Sequence, residues 1–169
     1  MITILSINIE GFCSIQQVHL QLNYNTTVLI KAPNGSGKSS LFSALVWCLY
    51  GKNLKGNPDV NTWKNVRPKD YKGTKVELFF QRDDDVYKVV RCQNYKGNID
   101  DGTKGNNRLL FLKNNVSVDI KYKAKIQDTI NHRIGMTYEL FMNSIMFGQG
   151  IKRLIQESNT DKRKLFQEI

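Results

Sequence analysis

Short alternating and continuous apolar stretches dominate the first fifty positions. Residues 1–10 (MITILSINIE) are rich in Ile and Leu, and residues 15–22 alternate in part through Val18, Leu20 and Leu22. Both read as strands. Residues 26–30 end in Val28, Leu29 and Ile30, a short β-branched run apolar on both faces. That pattern predicts a buried strand in the middle of a sheet covered on both sides, and the end of such a strand is where α/β folds bind ligands. A helix is predicted over residues 38–50, where Leu41, Phe42, Ala44, Leu45, Val46, Cys48 and Leu49 cover most of the circumference and Gly51 stops it. A helix apolar nearly all round belongs in the centre of the fold.

Beyond it the texture changes. Residues 52–72 are polar, include Pro58 and Pro68, and read as a long loop whose length hints at function. From Thr74 the chain reads as a meander: VELFF, a turn at residues 83–85, VYKVVRC, a loose Gly/Asn/Asp loop to Asn107, RLLFL, a KNN turn, then VSVDI. Ile126, Ile130 and Ile134 then recur every fourth residue on a helix ending at Gly135. Thr137 is the expected N-cap of a further helix with Tyr138, Leu140 and Phe141 as its apolar contacts. Residues 160–169 begin another, basic helix, and no internal repeat stands out.

The chemistry concentrates between the apolar run and the first helix. Ala32, Pro33, Asn34, Gly35, Ser36, Gly37, Lys38 and Ser39 resemble the Walker A P-loop, G-x-x-x-x-G-K-[ST]. Backbone N–H groups at Gly35, Gly37, Lys38 and Ser39 are expected to curl around a phosphate at the positive end of the helix, with glycines permitting close approach. Lys38 adds a cation for the β and γ phosphates of ATP and is expected to face solvent when no ligand is bound; Ser39 offers its hydroxyl to Mg²⁺. Asn34, Ser36 and Ser40 complete the expected nucleotide-binding set, although Asn34 suits a purely turn-forming role as well. Ala32 replaces the pattern's first glycine at a position leaving the strand. No carboxylate follows an apolar strand in the manner of a Walker B acid: Asp83, Asp84 and Asp85 read as a hairpin turn, and Asp100 and Asp101 fall in a loop. The sequence therefore presents half of a nucleotide site.

Composition narrows the class. The 169 residues suit one unit, and with 40% hydrophobic and 24% charged residues but only 3 Pro and 12 Gly, neither disorder nor a low-complexity protein fits. No apolar run approaches the roughly 20 residues of a bilayer span, and the opening residues lack an export signal, so a cytoplasmic setting without membrane contact is expected. Cys13, Cys48 and Cys92 form no C-x-x-C pair and read as reduced thiols. His19 and His132 are isolated and read as structural. Lys and Arg number 25 against 15 Asp and Glu, a net charge of +10 that suits a polyanionic partner without naming one.

Taken in order, ILSINIEGFCSIQQVHLQL, APNGSGKSSLFSALVWCLYG, VYKVVRC and IGMTYELFMNSIMFGQG resemble the N-terminal head segment of the SbcC family of SMC-related, ABC-type ATPases. The resemblance runs over essentially the whole chain. It implies the fold class α/β: a P-loop NTPase, the N-terminal lobe of an ABC-type ATPase head, with an antiparallel β-meander and C-terminal helices. Residues 1–169 would form one lobe, divided into a P-loop core (1–52), an antiparallel β lobe (74–120) and a helical segment (121–169) leading to a coiled-coil root. By position Gln149 corresponds to the Q-loop glutamine, a ligand of Mg²⁺ or of the attacking water, so the resemblance makes Lys38 and Gln149 the catalytic pair. A plain turn residue between two glycines is the other reading of Gln149. The position where the family often carries an Arg near the nucleotide is here Cys13.

The resemblance further implies ATP and Mg²⁺ as cofactors. As partners it implies a C-terminal ATPase lobe in the same or a separate chain, a second head in a homodimer, an SbcD-like nuclease subunit and double-stranded DNA. The setting would be a bacterial or phage-infected cell, at the nucleoid. Among the basic residues, Lys64, Arg67, Lys69, Lys72 and Lys75, then Lys121, Lys123 and Lys125, and finally Lys162, Arg163 and Lys164, are the expected phosphate contacts. Two rivals stay open: an SMC-like protein or recombination mediator without a nuclease partner, and a non-hydrolysing DNA-binding module. A self-sufficient kinase or GTPase is weakened by the missing Walker B strand.

Overall fold

The computed structural model describes residues 2–22, 27–58, 60, 69–118 and 123–146. Strands β1 (Ile2–Phe12) and β2 (Ile15–Gln21) form a hairpin and helix α1 (Lys38–Tyr50) follows. Then come β3 (Thr74–Arg82), β4 (Asp85–Gln93), the short pair β5 (Tyr95–Asn98) and β6 (Lys104–Asn106), β7 (Leu109–Lys113) and β8 (Val116–Ser117). Helices α2 (Lys123–Ile134) and α3 (Tyr138–Ser144) close the described chain.

Six strands pair antiparallel in the order β2-β1-β3-β4-β7-β8, so the opening hairpin and the later meander share one sheet. Alternation along each strand decides what faces α1. Ile7 lies opposite Leu78, Ile9 opposite Val76 and Leu78 opposite Val89, and these side chains join Phe12, Phe80 and Phe111 with Ala44, Trp47 and Cys48 of α1 in one core. Each fully buried Ile, Leu or Phe contributes roughly 1.5–3 kcal/mol. Phe80, Tyr87 and Phe111 stack across three strands at 5.2 and 5.5 Å between ring centroids. The opposite face is polar where Asn8 donates to Glu77 at 3.0 Å. Toward β5 and β6 it carries a second small core of Val90, Cys92, Tyr95, Ile99, Leu110 and Leu112.

Helix α1 has the predicted bounds because both ends are glycines in the left-handed region, Gly37 at φ 100° and Gly51 at φ 73°, which only a residue without Cβ adopts freely. Of the helices predicted near the end, the two before residue 146 form, and the basic helix expected over residues 160–169 lies outside the described residues. Ile130 and Ile134 are buried, and the Leu140 N–H donates to Thr137 Oγ1 at 3.2 Å.

Two expectations change. The run Val28–Ile30 is not a buried central strand: residues 27–30 form no strand, and Leu29 is 74% exposed. Strand propensity needs an edge to pair with, and the described sheet ends at β2 and β8 without reaching this segment. The loop between residues 93 and 107 is not loose: it contains the β5–β6 hairpin, with Asn98 opposite Lys104.

Candidate functional site

Residues 32–39 form a tight loop running straight into α1. The Ser36 N–H donates to the Pro33 carbonyl at 3.3 Å and Ser36 Oγ donates to the same oxygen at 2.7 Å, closing a turn over Asn34 and Gly35. Gly35 at φ 80° and Gly37 at φ 100° bend the backbone through the left-handed region twice. Gly35 faces open space, with nothing within 4 Å of where its Cβ would stand. The N-terminus of α1 has no side-chain cap and no acidic residue in its first turn. An uncapped N-terminus presents bare N–H groups and a partial positive charge, and the missing acid leaves both to an anion.

Lys38 is half-exposed, but its ammonium does not extend freely into solvent as expected. Its ammonium folds back over the loop and donates to the carbonyls of Ala32 at 2.6 Å and Pro33 at 2.8 Å. These two carbonyls hold the cation at the loop.

The turn joining β1 to β2 supports the loop from below. Cys13, at φ 50°, makes the turn, and Ser14 Oγ lies 3.1 Å from Ser40 Oγ. A Cβ on Gly37 would stand 3.0 Å from Ser14 Oγ and 3.2 Å from Ile15 Cγ1, so glycine is required there by conformation and by space. Cys13 is half-buried, and that burial raises its thiol above the usual range.

The far end of α1 is held by a buried cation that sequence reading missed. Arg91 of β4 is 6% exposed. Its Nε donates to the Cys48 carbonyl at 2.9 Å and one terminal nitrogen to Gln127 Oε1 at 2.5 Å. Gln127 of α2 donates in turn to the Leu49 carbonyl at 2.7 Å. The guanidinium thereby meets the negative end of the helix. Burial pulls Arg91 down to about 10. Beside it a cavity of about 400 Å³ is lined by Trp47, Gly51, Pro58, Asn94 and Asn107 among others. This lies about 20 Å from the loop, the length of a 13-residue helix. The available signal was that alternation along VYKVVRC puts Arg91 on the same face as Tyr87 and Val89, the face buried in the core.

Of the residues singled out from sequence, Asn34, Gly35, Ser36, Gly37, Lys38, Ser39 and Ser40 are together in one turn and the first turn of α1. Ser39 is exposed, with its hydroxyl unengaged among the described residues. Gln149 lies outside the described residues, as do Lys64, Arg67, Lys121, Lys162, Arg163, Lys164 and the coiled-coil root. Asp83 stands at φ 57° in the β3–β4 turn. The Lys113 ammonium bonds Asp85 at 2.7 Å and, with Asn114, holds that carboxyl below its usual range.

A family model described as AAA domain matches residues 6–169. Exonuclease subunit 2 of Enterobacteria phage T4 is 28% identical over 153 residues, covering 90% of this chain and 25% of that protein. The DNA double-strand break repair Rad50 ATPase of Methanocaldococcus jannaschii is 32% identical over 123 residues, covering 73% of this chain and 11% of that protein. The chain thus spans a quarter or less of the length of these relatives. Among solved structures, one from work on ATP-driven dimerization and DNA-stimulated activation of SMC ATPases covers 98% of this chain and 98% of that chain, with TM-score 0.60 and 18% identity. That likeness establishes the fold as the α/β fold of an SMC-type ATPase head.

Proposed function

The chain belongs to the AAA domain family, and from that membership we propose that it is the N-terminal lobe of an SbcC-type ATPase head that binds Mg-ATP and works in DNA break repair or recombination. The observation carrying this reading is the loop at residues 32–39, where two left-handed glycines, an uncapped helix N-terminus and the Lys38 ammonium meet. Backbone donors and a cation are thereby held in one short loop, and the first turn of α1 carries no acid.

The residues fit the group. Glycines at 35 and 37 let backbone N–H groups approach phosphate oxygens, and the partial charge of α1 favours them. Lys38 would exchange two neutral carbonyls for phosphate oxygens, a stronger charge-assisted bond. Ser39 and, by position, Gln149 would hold Mg²⁺, which when bound neutralises charge on the phosphates. Ser40, tied to Ser14, would keep the first turn of α1 in register with the β1–β2 hairpin.

No described carboxylate lies at the loop to act as a hydrolytic acid or base. A C-terminal lobe, in the same or a separate chain, would supply it, and the run Val28–Ile30, which pairs with no described strand and leaves Val28 and Leu29 exposed, supports such a partner. The reading includes ATP-driven engagement of two heads and control of an SbcD-like nuclease at double-stranded DNA; the relatives named as exonuclease subunit and DNA double-strand break repair Rad50 ATPase support its DNA-directed part. The energetic condition is that ATP binds the engaged state more tightly than the open one.

The test is Mg-ATP binding by the full chain beside its Lys38→Ala variant. Loss of binding with an unchanged circular dichroism spectrum and melting temperature is expected. Retained tight binding in the folded variant overturns the assignment.

A further inference from the structure

Arg91 is a buried charge that no described acid balances. It is 6% exposed, whereas Arg82 and Arg108, both partly exposed, stand 3.9 Å from Asp83 and 2.5 Å from Asp101. Among the described residues Arg91 makes no ion pair. A buried charge ordinarily has a counter-charge, because removing it from water is costly. The C-terminal end of α1 offers about half an elementary charge against a full one.

The guanidinium is engaged on one side. Its Nε donates to the Cys48 carbonyl at 2.9 Å, and Nη2 donates to Gln127 Oε1 at 2.5 Å and to the Leu49 carbonyl at 3.4 Å. All three acceptors are neutral. Nη1 makes no hydrogen bond among the described residues, and Gly51 keeps the space beside it clear: a Cβ there would stand 2.9 Å from Nη1. Arg91 and Gly51 both line the cavity of about 400 Å³, a size within the roughly 300–1,000 Å³ of small-molecule sites.

The other walls suit an organic anion. Trp47 has its ring centroid 5.8 Å from Arg91 Cζ, and its indole N–H is taken by the Pro58 carbonyl at 3.0 Å, so the indole offers the cavity an apolar surface. At the exposed rim, Asn107 Oδ1 accepts from the Asn94 N–H at 2.8 Å. The carboxamide of Asn94 itself makes no hydrogen bond among the described residues. No acid among the described residues lines the cavity.

We propose that this cavity binds a small organic oxyanion, with its carboxylate or phosphoryl oxygens on Arg91 Nη1 and its body against Trp47 and Pro58. The inference does not rest on the nucleotide reading, since the loop at residues 32–39 lies at the other end of α1. Nη1 carries two N–H groups, and a charge-assisted bond to an oxyanion is stronger than the bonds Arg91 makes to neutral oxygens. Because Nε and Nη2 are already fixed, the guanidinium is ordered before the ligand arrives. The Asn94 carboxamide adds a contact from the rim.

The experiment follows nuclear magnetic resonance signals of the full chain during titration with sodium acetate, sodium succinate or glycerol 2-phosphate, at an ionic strength held constant with sodium chloride. The Arg91 Nε–H and Trp47 Nε1–H report the cavity, and the Gly35 and Gly37 amides report the loop. Saturating shifts of both cavity signals are expected, with a dissociation constant below about 10 mM for at least one of the three anions and none for chloride. Asn94→Gly, which suits the φ of 51° at that position, is expected to keep the parental melting temperature and weaken binding about threefold to tenfold. Cavity signals unmoved at about 100 mM of each anion overturn the site, whether solvent or a carboxylate outside the described residues, such as that of Asp59, balances Arg91. A Trp47 shift with the parental midpoint in a folded Arg91→Lys variant overturns it too. Shifts confined to Gly35 and Gly37 put the anion at the loop, and overturn the cavity site while leaving the proposed function standing.

Discussion

Gly37 is constrained twice, by a φ of 100° and by Ser14 and Ile15 against its missing Cβ, whereas Gly35 at φ 80° faces open space. The pair separates conformational strain from crowding. Gly35→Ala is expected to cost about 1 kcal/mol from backbone strain alone. Gly37→Ala adds displacement of the β1–β2 turn and is expected to cost about 2–3 kcal/mol, lowering the melting temperature by several degrees more. Equal melting temperatures would mean that the turn does not support the loop. The cysteines give a second residue-scale expectation. Burial pushes Cys48 and Cys92 from 9.0 up to about 12. Their thiols stay neutral in the fold while the unfolded chain ionises, so their contribution is intact below pH 9 and is lost as pH rises toward 12. Arg91 is still charged in both states below its value of about 10 and does not oppose the trend there. The urea midpoint is expected to fall between about pH 8 and about pH 10, and Cys92→Val, which removes one of the two thiols, to flatten the fall.

Helix α1 joins the two ends of this lobe's chemistry, the loop at its N-terminus and Arg91 at its C-terminus. Arg91→Met removes the fork that meets the Cys48 carbonyl and Gln127, and is expected to destabilise by about 2–4 kcal/mol in urea unfolding. Arg91→Lys should recover little, because a point charge cannot reach both acceptors. Gln127→Ala should cost about 1 kcal/mol and be markedly non-additive with Arg91→Met, since the two share a network. Elements marked by local chemistry were legible in the sequence: α1 between its glycines, the strands VELFF and VYKVVRC, and the Thr137 cap. Elements set by distant contacts were not. Residues 27–30 carry strand-forming side chains without a described neighbour to pair with, while Lys96-Gly97-Asn98 has poor strand propensity and pairs because Tyr95 and Lys72 hold it. The glycine turn at residues 32–39 running into α1 was legible because its residues are contiguous. Arg91 and Gln127 were not, because their meeting depends on the packing of β4 and α2 around the end of α1.

At the scale of the molecule, the described residues include a glycine-rich loop at one end of α1 and, leading into that loop, an exposed apolar run that pairs with no described strand. In the proposed head these two features are coupled: the partner lobe that covers Val28 and Leu29 would be the one that completes the site. The chain alone is therefore expected to bind Mg-ATP without turnover, and addition of a C-terminal lobe to restore turnover. Leu29→Asp isolates the coupling. Leu29 is 74% exposed, so the change should leave the stability of this chain within about 0.5 kcal/mol. An aspartate buried at a lobe interface would cost several kcal/mol, so assembly and turnover should fall together while Mg-ATP binding by the separate chain stays at the parental level. Turnover by the chain alone, abolished by Lys38→Ala, would mean that it holds its own catalytic carboxylate. Normal turnover by Leu29→Asp with the added lobe would mean that residues 28–30 meet no partner and that the site is completed from another side.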